Sequence, residues 1–321
     1  MTAGRWEEVS CPICPPGTGS DPNLTCSDRL DEPQRRIYRL VRCKGCGLIY
    51  LNPRPAPVEA GEFYRNEGYD PFISLRAPRG LFEKSYRLAR RLTTTWKRRL
   101  VGRRVSRGGR ILDVGCSTGE FIARLAKDYR CEGVEPEPEA AQWARERLGL
   151  KVYTGELSDA HLKTGSYDLV TLWHVLEHLP DPAGVLTEIH RLLAESGHLL
   201  IALPNIRSLD AVIYGASWVA LDAPRHLWHF SPSQLKRLAR QTGFRLTTSG
   251  MLPFDTFYNV YLSEKLCLDI HGWSQPIISP FRMTAAALGS LIWGGLTGLH
   301  SGKFYIFEKL INEPAAKTGK R

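Results

Sequence analysis

The sequence predicts an α/β protein with a doubly wound, mainly parallel sheet, preceded by a small cysteine-containing module. From residue 110 onward, apolar runs such as "RILDVG" and "YDLVTLW" alternate with helix-like segments such as "EPEAAQWARERLGL". Such alternation is typical of a parallel sheet covered by helices. Nearer the start, two Cys-x-x-Cys pairs mark a separate unit.

Composition indicates an ordinary globular chain. Of its 321 residues, 43% are hydrophobic and 24% are charged, enough for one large domain and a small one. The start "MTAGRWEEVSCPIC" has no apolar signal region, and no stretch reaches the ~18 apolar residues of a membrane span. Eight cysteines without an export signal favour metal ligands or reduced thiols. We therefore expect a cytoplasmic protein.

The two cysteine pairs predict a structural zinc site. Its ligands would be Cys11, Cys14, Cys43 and Cys46. The 28 residues between the pairs are compatible with a zinc ribbon, and "RRIYRLVRC" and "GLIYLNP" alternate like the strands of a hairpin with the second pair at its tip. Four thiolates leave no open coordination position, so the zinc would be structural. We assign residues 1–60 to this module and leave out Cys26, which has no evident partner.

The excess positive charge lies in one segment, within a predicted helical linker over residues 61–109. Between Arg76 and Arg110 there are thirteen Lys or Arg and one acid, whereas the whole chain has a net charge of +10. Apolar residues recur there near helical spacing, which predicts a basic amphipathic helix. Its apolar stripe would be Phe82, Tyr86, Ala89, Trp96 and Leu100. Either this stripe docks on the next domain with the basic face in water, or the basic face binds an anionic partner such as a phosphorylated substrate, RNA or an acidic membrane.

The end of the first strand of the main domain predicts a nucleoside site. "LDVGCSTGEF" places Asp113 before a turn with Gly115 and Gly119, which let the backbone approach a ligand. Glu135 ends the second strand 22 residues after Asp113, where an acid can accept hydrogen bonds from ribose hydroxyls. The G-x-x-x-G spacing differs from the nicotinamide pattern. The set favours a nucleoside with a charged amino-acid tail.

Four motifs in order, "ILDVGCSTGEF", "GVEPEPEAA", "YDLVTLWHVLEHLPDP" and "GHLLIALPN", resemble those of class I S-adenosylmethionine (SAM)-dependent methyltransferases. Together with the cysteine pairs and "PRHLWHF", the chain resembles a bacterial small-molecule subgroup that includes sugar C-methyltransferases. The resemblance implies SAM as cofactor and a Rossmann-like, seven-stranded sheet whose last strand, "KFYIFEKL", is antiparallel. It assigns residues 110–312 to the methyltransferase domain, with 313–321 as a flexible tail.

The resemblance also implies which residues bind SAM. The first motif would hold the methionine moiety, Glu135 the ribose, and the end of the fourth strand would lie under the methyl group. Glu156 and Leu157 follow the third strand, where the adenine contact is expected, although the family's usual Asp is not evident. The expected cofactor-binding residues are Asp113, Gly115, Cys116, Gly119, Phe121, Glu135, Pro136, Glu156, Leu157, Trp173 and His174.

Histidines near the expected methyl position are the candidates for catalysis. His174, Glu177 and His178 would share one face of a helical turn, and ubiquinone-type O-methyltransferases have a similar trio, beginning with Glu, that is associated with a divalent metal. Here His replaces that Glu, so we favour a role for Glu177 and His178 in organising the loop. A catalytic metal and direct contact with the substrate remain alternatives.

The segment "PRHLWHFSPSQL" supplies the second pair of histidines. Ser231 and Gln234 predict a capping box, so a helix begins there and the histidines precede it in a loop. The candidate catalytic residues are His226, His229, His174 and Arg225. We expect His226 to be the general base, with Arg225 or His229 orienting the acceptor, because the related sugar enzymes have a histidine at this place. The alternatives are a pair of histidines that anchor the loop and, less favoured, a metal pair.

These features predict a methyltransferase that acts on oxygen or carbon of a small polar acceptor, such as a sugar or a precursor of a surface glycan or secondary metabolite. The first alternative is an rRNA guanine methyltransferase with a zinc module, and the second is a SAM-binding regulator. Nucleic acid is disfavoured because the zinc module lacks a run of exposed aromatics and no N/D-P-P-[YF] tetrad follows the fourth strand. Peripheral membrane contact and the oligomeric state are left open.

Overall fold

The computed structural model describes residues 5–31, 36–64, 81–270 and 280–310. Its N-terminal part, which we call the cysteine module, comprises residues 5–31 and 36–60. The strands there are β1 (Trp6–Glu7), β2 (Ser20–Ser27), β3 (Ile37–Cys43), β4 (Ile49–Leu51) and β5 (Arg54–Pro55). The predicted hairpin is confirmed as β3 and β4, with the second cysteine pair at its turn. Strand β2, which pairs with β3, was not predicted.

The predicted basic helix is present as α2 (Leu81–Gly102), after a short α1 (Pro57–Ala60). Its C-terminal half docks by apolar residues: Leu100 is buried, and the Trp96 ring contacts those of Trp173 and Phe304. Charged residues of α2 also reach the main domain, where Arg90 pairs with Glu120 at 2.8 Å. The helix is therefore part of the domain's surface layer.

The main sheet has the predicted seven strands. They are β6 (Arg110–Val114), β7 (Arg130–Glu135), β8 (Lys151–Thr154), β9 (Tyr167–Trp173), β10 (Leu193–Pro204), β12 (Phe244–Met251) and β13 (Gly302–Lys309). Their order is β12-β13-β10-β9-β6-β7-β8. Strand β13 lies antiparallel between β10 and β12, and the others pair in parallel, as predicted. No described helix is long and apolar enough to cross a membrane.

Helices cover both faces of this sheet. They are α3 (Glu120–Leu125), α4 (Pro138–Leu148), α5 (Pro182–Leu192), α6 (Leu209–Tyr214), α7 (Pro232–Gln241), α8 (Asp255–Ile270) and α9 (Pro280–Thr297). The capping box at the start of α7 is confirmed: the Ser231 hydroxyl accepts from the Gln234 amide, and the Gln234 side chain accepts from the Ser231 amide. The predicted tail, residues 313–321, lies outside the described residues.

The cysteine module and the main domain share a sheet and a core. Strand β11 (Trp228–His229), from the "PRHLWHF" segment, pairs antiparallel with β4 and completes the four-stranded order β11-β4-β3-β2. One continuous apolar core includes Leu40 of the module and Leu235 of α7. The module is therefore joined to the loop in which the candidate catalytic histidines lie.

Candidate functional site

A cavity of about 1180 Å³ opens at the carboxyl ends of the parallel strands. Residues at the ends of β6, β7 and β9 line it, together with the segment after β8, part of α2, and parts of α8 and α9. Ligands of open α/β sheets bind at this edge. The volume exceeds that of a typical drug-sized pocket, so it has room for a cofactor and a second molecule.

Most of the expected cofactor residues line this cavity. They are Gly115, Phe121, Glu135, Pro136, Glu156, Leu157, Trp173 and His174. Gly115 has φ +69°, and a Cβ there would lie 2.5 Å from Val175 Cγ2, so a side chain is excluded at this turn.

Three expected residues support the cavity from behind instead of lining it. Asp113 is buried and accepts a hydrogen bond from the Thr171 hydroxyl at 2.5 Å, which ties β6 to β9. The Cys116 side chain is buried behind the turn, where a Cβ on Gly133 would meet its sulfur at 2.5 Å. Gly119 is required for packing, because a Cβ there would lie 2.5 Å from Leu150 Cδ1. These residues shape the turn that faces the ligand.

Glu135 holds two neighbouring loops in place. Its Oε2 accepts from the Ser117 amide at 2.7 Å and its Oε1 accepts from the Glu137 amide at 3.0 Å. Burial raises the pKa of this carboxyl, and the two amide hydrogen bonds oppose the shift. Because each carboxylate oxygen can accept more than one hydrogen bond, the same group can also receive ribose hydroxyls.

Lys97 of α2 places a cation in the cavity, a feature that the sequence analysis did not single out. Its ammonium lies 4.0 Å from the centre of the Trp173 ring and 5.7 Å from that of Phe121. Burial lowers the pKa of Lys97 to about 8, although Asp113 and Asp255 attract its charge. Within the described residues, no carboxylate is at ion-pair distance from this ammonium. A half-buried cation that faces a cavity favours an anionic ligand group.

A buried carboxylate, Glu177, lies among histidines beside the cavity. Burial opposes its ionisation, but contact with His174 and the proximity of His178 and His226 lower the pKa of Glu177 to about 2. The pKa of His174 shifts in the opposite direction. Its Nδ1 is 3.5 Å from Glu177 Oε1, and its Nε2 is 3.4 Å from Asp255 Oδ2. Burial alone would lower its pKa, yet the two acids raise it to about 9. The two acids therefore favour the protonated form of His174, which is unsuited to act as a base.

The expected single-turn trio is replaced by a different grouping. A short 3₁₀ turn covers only residues 176–178, and His174 precedes it with φ 57°. The grouping that the structure forms is Glu177, His178 and His226, with one ligand atom of each within 4.8 Å of the others. Two imidazoles and a carboxylate are a donor set that holds divalent metal ions in other proteins. Such an ion would act as a Lewis acid on an acceptor oxygen.

His226 lines the cavity with a defined tautomer. Its Nδ1 lies 2.7 Å from the Ala220 carbonyl oxygen, which can only accept, so Nδ1 carries the proton and Nε2 is the basic nitrogen. The His178 ring lies edge-on to that of His226, at 4.5 Å between centres. Burial and the neighbouring His226 lower the pKa of His178 to about 4. The Tyr64 hydroxyl, 3.0 Å from His178 Nδ1, joins the same network.

Two residues expected to orient the acceptor have other surroundings. The Arg225 side chain is 1% exposed, and its guanidinium donates to Asp222 and Asp28. His229 is buried against a small void behind His226 and is not among the residues that line the main cavity. Burial lowers its pKa to about 3. His229 is therefore not assigned to acceptor contact, and Arg225, although it is among the residues that line the cavity, has its guanidinium bound to the two carboxylates.

The four expected zinc ligands converge in the cysteine module. The four sulfur atoms all lie within 4.8 Å of one another; they belong to Cys11, Cys14, Cys43 and Cys46. Cys11 and Cys46 sulfurs are 3.5 Å apart, close to the roughly 3.8 Å edge of a tetrahedron with Zn–S bonds of about 2.3 Å. Gly45 leaves room for the cluster, since a Cβ there would lie 2.8 Å from the Cys14 sulfur. Cys26 is outside this group, as expected.

Comparisons with solved structures agree with the fold. Magnesium protoporphyrin IX methyltransferase from Synechocystis PCC 6803, with bound SAH, is 13% identical, has a TM-score of 0.53, and the match covers 79% of this chain and 100% of that one. A phosphoethanolamine N-methyltransferase from Haemonchus contortus, in complex with S-adenosyl-L-methionine, is 15% identical with a TM-score of 0.52, covering 90% of this chain and 68% of that one. At these identities they show the fold alone.

Sequence comparisons identify the family. The ubiquinone biosynthesis O-methyltransferase of Xanthomonas oryzae pv. oryzae is 32% identical over 162 residues, 45% of this chain and 66% of that protein. An uncharacterised 37.1 kDa protein of a Streptomyces fradiae transposon is 33% identical over 212 residues, 62% of this chain and 59% of that protein. The matches thus span less than two thirds of these relatives' lengths. A family model described as a methyltransferase domain matches residues 81–249, more than half of the chain. The protein belongs to this family, within the class I SAM-dependent methyltransferases.

Proposed function

We propose that the protein transfers a methyl group from SAM to an oxygen or carbon atom of a small-molecule acceptor. The observation that carries this proposal is the shared cavity, in which the expected cofactor residues and His226 line one space of about 1180 Å³. Methyl transfer needs the sulfonium and the nucleophile in line within the same water-excluding site. A SAM-binding regulator would not need a base at that position.

In this proposal, SAM lies across the ends of β6, β7 and β9. Glu135 accepts the ribose hydroxyls, and Lys97 pairs with the carboxylate of the methionine moiety. The Lys97 ammonium over the Trp173 ring supports this orientation, because SAM brings a carboxylate to a half-buried cation that has no carboxylate partner in the described part of the chain. His174, Glu177 and Asp255 together carry one net negative charge when His174 is protonated, which favours a sulfonium nearby.

His226 then serves as general base. An aliphatic hydroxyl or a carbon acid is a weak nucleophile until it loses its proton, and a neutral imidazole with a free nitrogen can accept that proton. The Ala220 carbonyl supports this role, since it holds the Nδ1 proton and leaves Nε2 for the acceptor. The resemblance to sugar C-methyltransferases supports the same residue.

A divalent metal on Glu177, His178 and His226 is the mechanistic alternative. His226 Nε2 would then be a ligand and could not act as a base. Metal analysis separates the two cases: the base mechanism requires one zinc per chain, bound by the cysteine module, whereas the alternative requires a second ion. Chelation that abolishes transfer without removing the cysteine-bound zinc would favour the alternative.

The acceptor is expected to be a small molecule with a partly apolar surface. The cavity lining includes the apolar side chains of Leu252, Phe254, Phe257 and Leu288. A sugar or glycan precursor, as the resemblance implies, would stack one face on such side chains. The names of the ubiquinone biosynthesis O-methyltransferase relatives make intermediates of ubiquinone biosynthesis a second class to screen.

An rRNA substrate has less support. Part of the positive charge of α2 is neutralised by acids of the main domain, since Arg90 pairs with Glu120 at 2.8 Å and Arg98 pairs with Asp128 at 2.5 Å. If α2 served as an RNA-binding surface, affinity would be high and would fall steeply with salt. We expect only weak, non-specific RNA binding.

The test begins with calorimetry of SAM and S-adenosylhomocysteine (SAH) binding to the purified protein. Methyl-labelled SAM is then incubated with metabolite fractions and, separately, with purified rRNA. Binding of both ligands and labelling of a small molecule that depends on His226 would support the proposal. Absence of SAM binding, or labelling confined to rRNA, would contradict it.

A further inference from the structure

The loop that carries His226 is held by the cysteine module on both sides. After His226, the Leu51 amide of β4 donates to the Leu227 carbonyl at 2.9 Å, and β11 continues this pairing. Before His226, the end of β2 approaches the turn at residues 222–225. The main domain adds backbone bonds from the Leu227 amide to the Glu177 carbonyl at 2.8 Å and from the Ile206 amide to the Phe230 carbonyl at 3.4 Å.

The contact before His226 is a cluster of four charges, which we call the ion cluster. It consists of Asp28 and Arg29 from the cysteine module with Asp222 and Arg225 from the turn. Arg225 donates to Asp28 at 2.8 Å and to Asp222 at 2.7 Å, while Arg29 donates to Asp222 at 2.7 Å. Two positive and two negative side chains balance, and Asp28, Asp222 and Arg225 are all buried.

The ion cluster fixes the backbone that precedes His226. Asp222 adopts a left-handed conformation with φ 32°, which an Asp tolerates at some cost when its side chain is held. The Asp222 carbonyl accepts hydrogen bonds from the amides of Arg225 and His226 at 2.9 and 3.0 Å. His226, the proposed base, is therefore hydrogen-bonded to this turn through its own backbone. The Arg225 carbonyl in turn lies 3.1 Å from His178 Nδ1.

We propose that Asp28 and Arg29 are positioning residues that act through Asp222 and Arg225 to hold His226 in the tautomer and orientation required of the base. This inference rests on the proposed function of His226. It gives the cysteine module a role in catalysis that acts through the loop of His226; Arg29 also lines the cavity, whereas Asp28 does not. The geometry supports this positioning role. The Ala220 carbonyl that accepts the hydrogen bond from His226 Nδ1 lies in the same buried turn region, and the ion cluster closes that turn.

The consequence concerns the basic nitrogen. The Nε2–H form is the preferred tautomer of a free imidazole side chain, whereas the hydrogen bond to Ala220 imposes the Nδ1–H form. If the turn loosens, His226 reverts toward Nε2–H and presents a donor where the acceptor's proton must be received. A loss of positioning by the ion cluster should therefore appear as a change in the tautomer of the His226 ring.

The experiment uses long-range ¹H–¹⁵N spectra of the full-length protein with labelled histidine, recorded over a range of pH so that the neutral ring is observed. The His226 signals are assigned with His226→Gln. Asp28→Asn removes the carboxylate charge from the ion cluster and retains its shape, and Asp28→Glu tests rescue. Asp21→Asn is the matched control, since it removes an exposed carboxylate, paired with Lys44 at 3.0 Å, from the same strand β2.

In the parent protein and in Asp21→Asn, we expect the Nδ1–H tautomer of His226. In Asp28→Asn, the Nδ1 and Nε2 shifts should move toward the Nε2–H form, with partial recovery in Asp28→Glu. SAH affinity should stay within about twofold of the parent, because Glu135 and Lys97 lie outside the ion cluster. If Asp28→Asn does not fold, Arg29→Gln decides alone, since it leaves Arg225 with both carboxylates and should produce a smaller shift in the same direction.

Unchanged His226 signals in the folded variants would overturn the positioning role while the proposed function stands. An Nε2–H tautomer already present in the parent, or a parent protein that does not bind SAH, would contradict the proposed function itself. The two failures are therefore distinguishable in the same set of samples.

Discussion

Lys97→Met is the sharpest test of where the cofactor's carboxylate lies. The substitution keeps an apolar chain of similar length over the Trp173 ring and removes the ammonium, which lies 4.0 Å from the ring centre. A hydrogen bond to a charged group contributes about 1.5–3 kcal/mol, so SAH affinity should fall by roughly 10- to 100-fold. The substitution also removes a charge that is partly withdrawn from water in the free protein, so the free energy of unfolding should not decrease.

The assay compares two ligands by calorimetry. SAH has the carboxylate, whereas 5′-methylthioadenosine retains the adenosine and thioether but lacks the amino-acid tail. Lys97→Met should weaken SAH alone. Arg98→Met removes the neighbouring charge, which is half exposed, paired with Asp128 and not among the residues that line the cavity, and it should change neither affinity. Equal losses for both ligands in Lys97→Met would refute the carboxylate contact and leave Lys97 a packing role.

The pH dependence of SAH affinity is a second, independent test of the contact between Lys97 and the ligand's carboxylate. Because burial lowers the pKa of Lys97 to about 8, the free protein loses this charge at a pH where most lysines keep it. A bound carboxylate favours the protonated form of Lys97. SAH affinity should therefore be highest below pH 8 and should fall as the pH rises above 8, by at most about tenfold per pH unit. Lys97→Met should lack this extra dependence, and 5′-methylthioadenosine should not show it.

Three further changes separate the parts of the site. Glu135→Ala should weaken SAM binding at least tenfold, because it removes the ribose acceptor and the anchor of the Ser117 and Glu137 amides; unchanged affinity by calorimetry would mean that this strand end is not the ribose site. His226→Ala should lower turnover by about 10²–10⁴-fold with normal SAM binding. A variant that methylates the true acceptor at the parent rate would return His226 to a structural role. Cys43→Ser should lower the zinc content from one per chain and destabilise the cysteine module in thermal unfolding, with SAM affinity largely intact. Full stability in a zinc-free protein would contradict a structural metal.

The sequence predicted features whose signals are local. The seven strands follow from alternating apolar runs, and the start of α7 follows from Ser231 and Gln234 three residues apart. On α4, Ala140, Trp143, Ala144 and Leu148 recur at helical spacing, but only the two alanines are buried, while Trp143 is 37% exposed and Leu148 is 40% exposed. Helical spacing shows which residues share a face, but close packing against the sheet selected the small alanines.

Features that join distant parts of the chain left no local signal. Strand β11 has only two residues and is a strand only because β4, far earlier in the chain, pairs with it. Asp28 and Arg225 are equally remote, and nothing in either neighbourhood marks them as partners. Lys97 was one of thirteen cations in its segment, and charge counting cannot tell which of them turns inward. In each case the missing information was the partner, which only the fold supplies.

The energetics of the ion cluster favour an orienting role over a stabilising one. Burying Asp28, Asp222 and Arg225 costs much of the hydration of each charge, and mutual attraction returns little more than that cost, so such clusters contribute weakly to net stability. An apolar contact of equal size would join the two units as firmly. It would not, however, fix the turn before His226, because apolar side chains impose no direction on the groups that they contact. Charged hydrogen bonds do impose one, and the turn that they fix leads into the ring whose basic nitrogen must face the acceptor. In the proposed site, the cofactor half is built from short strand–turn–helix units, whereas the acceptor half depends on contacts between the cysteine module and the main domain. Damage to the cysteine module should therefore separate the two activities, leaving SAM binding while methyl transfer is lost.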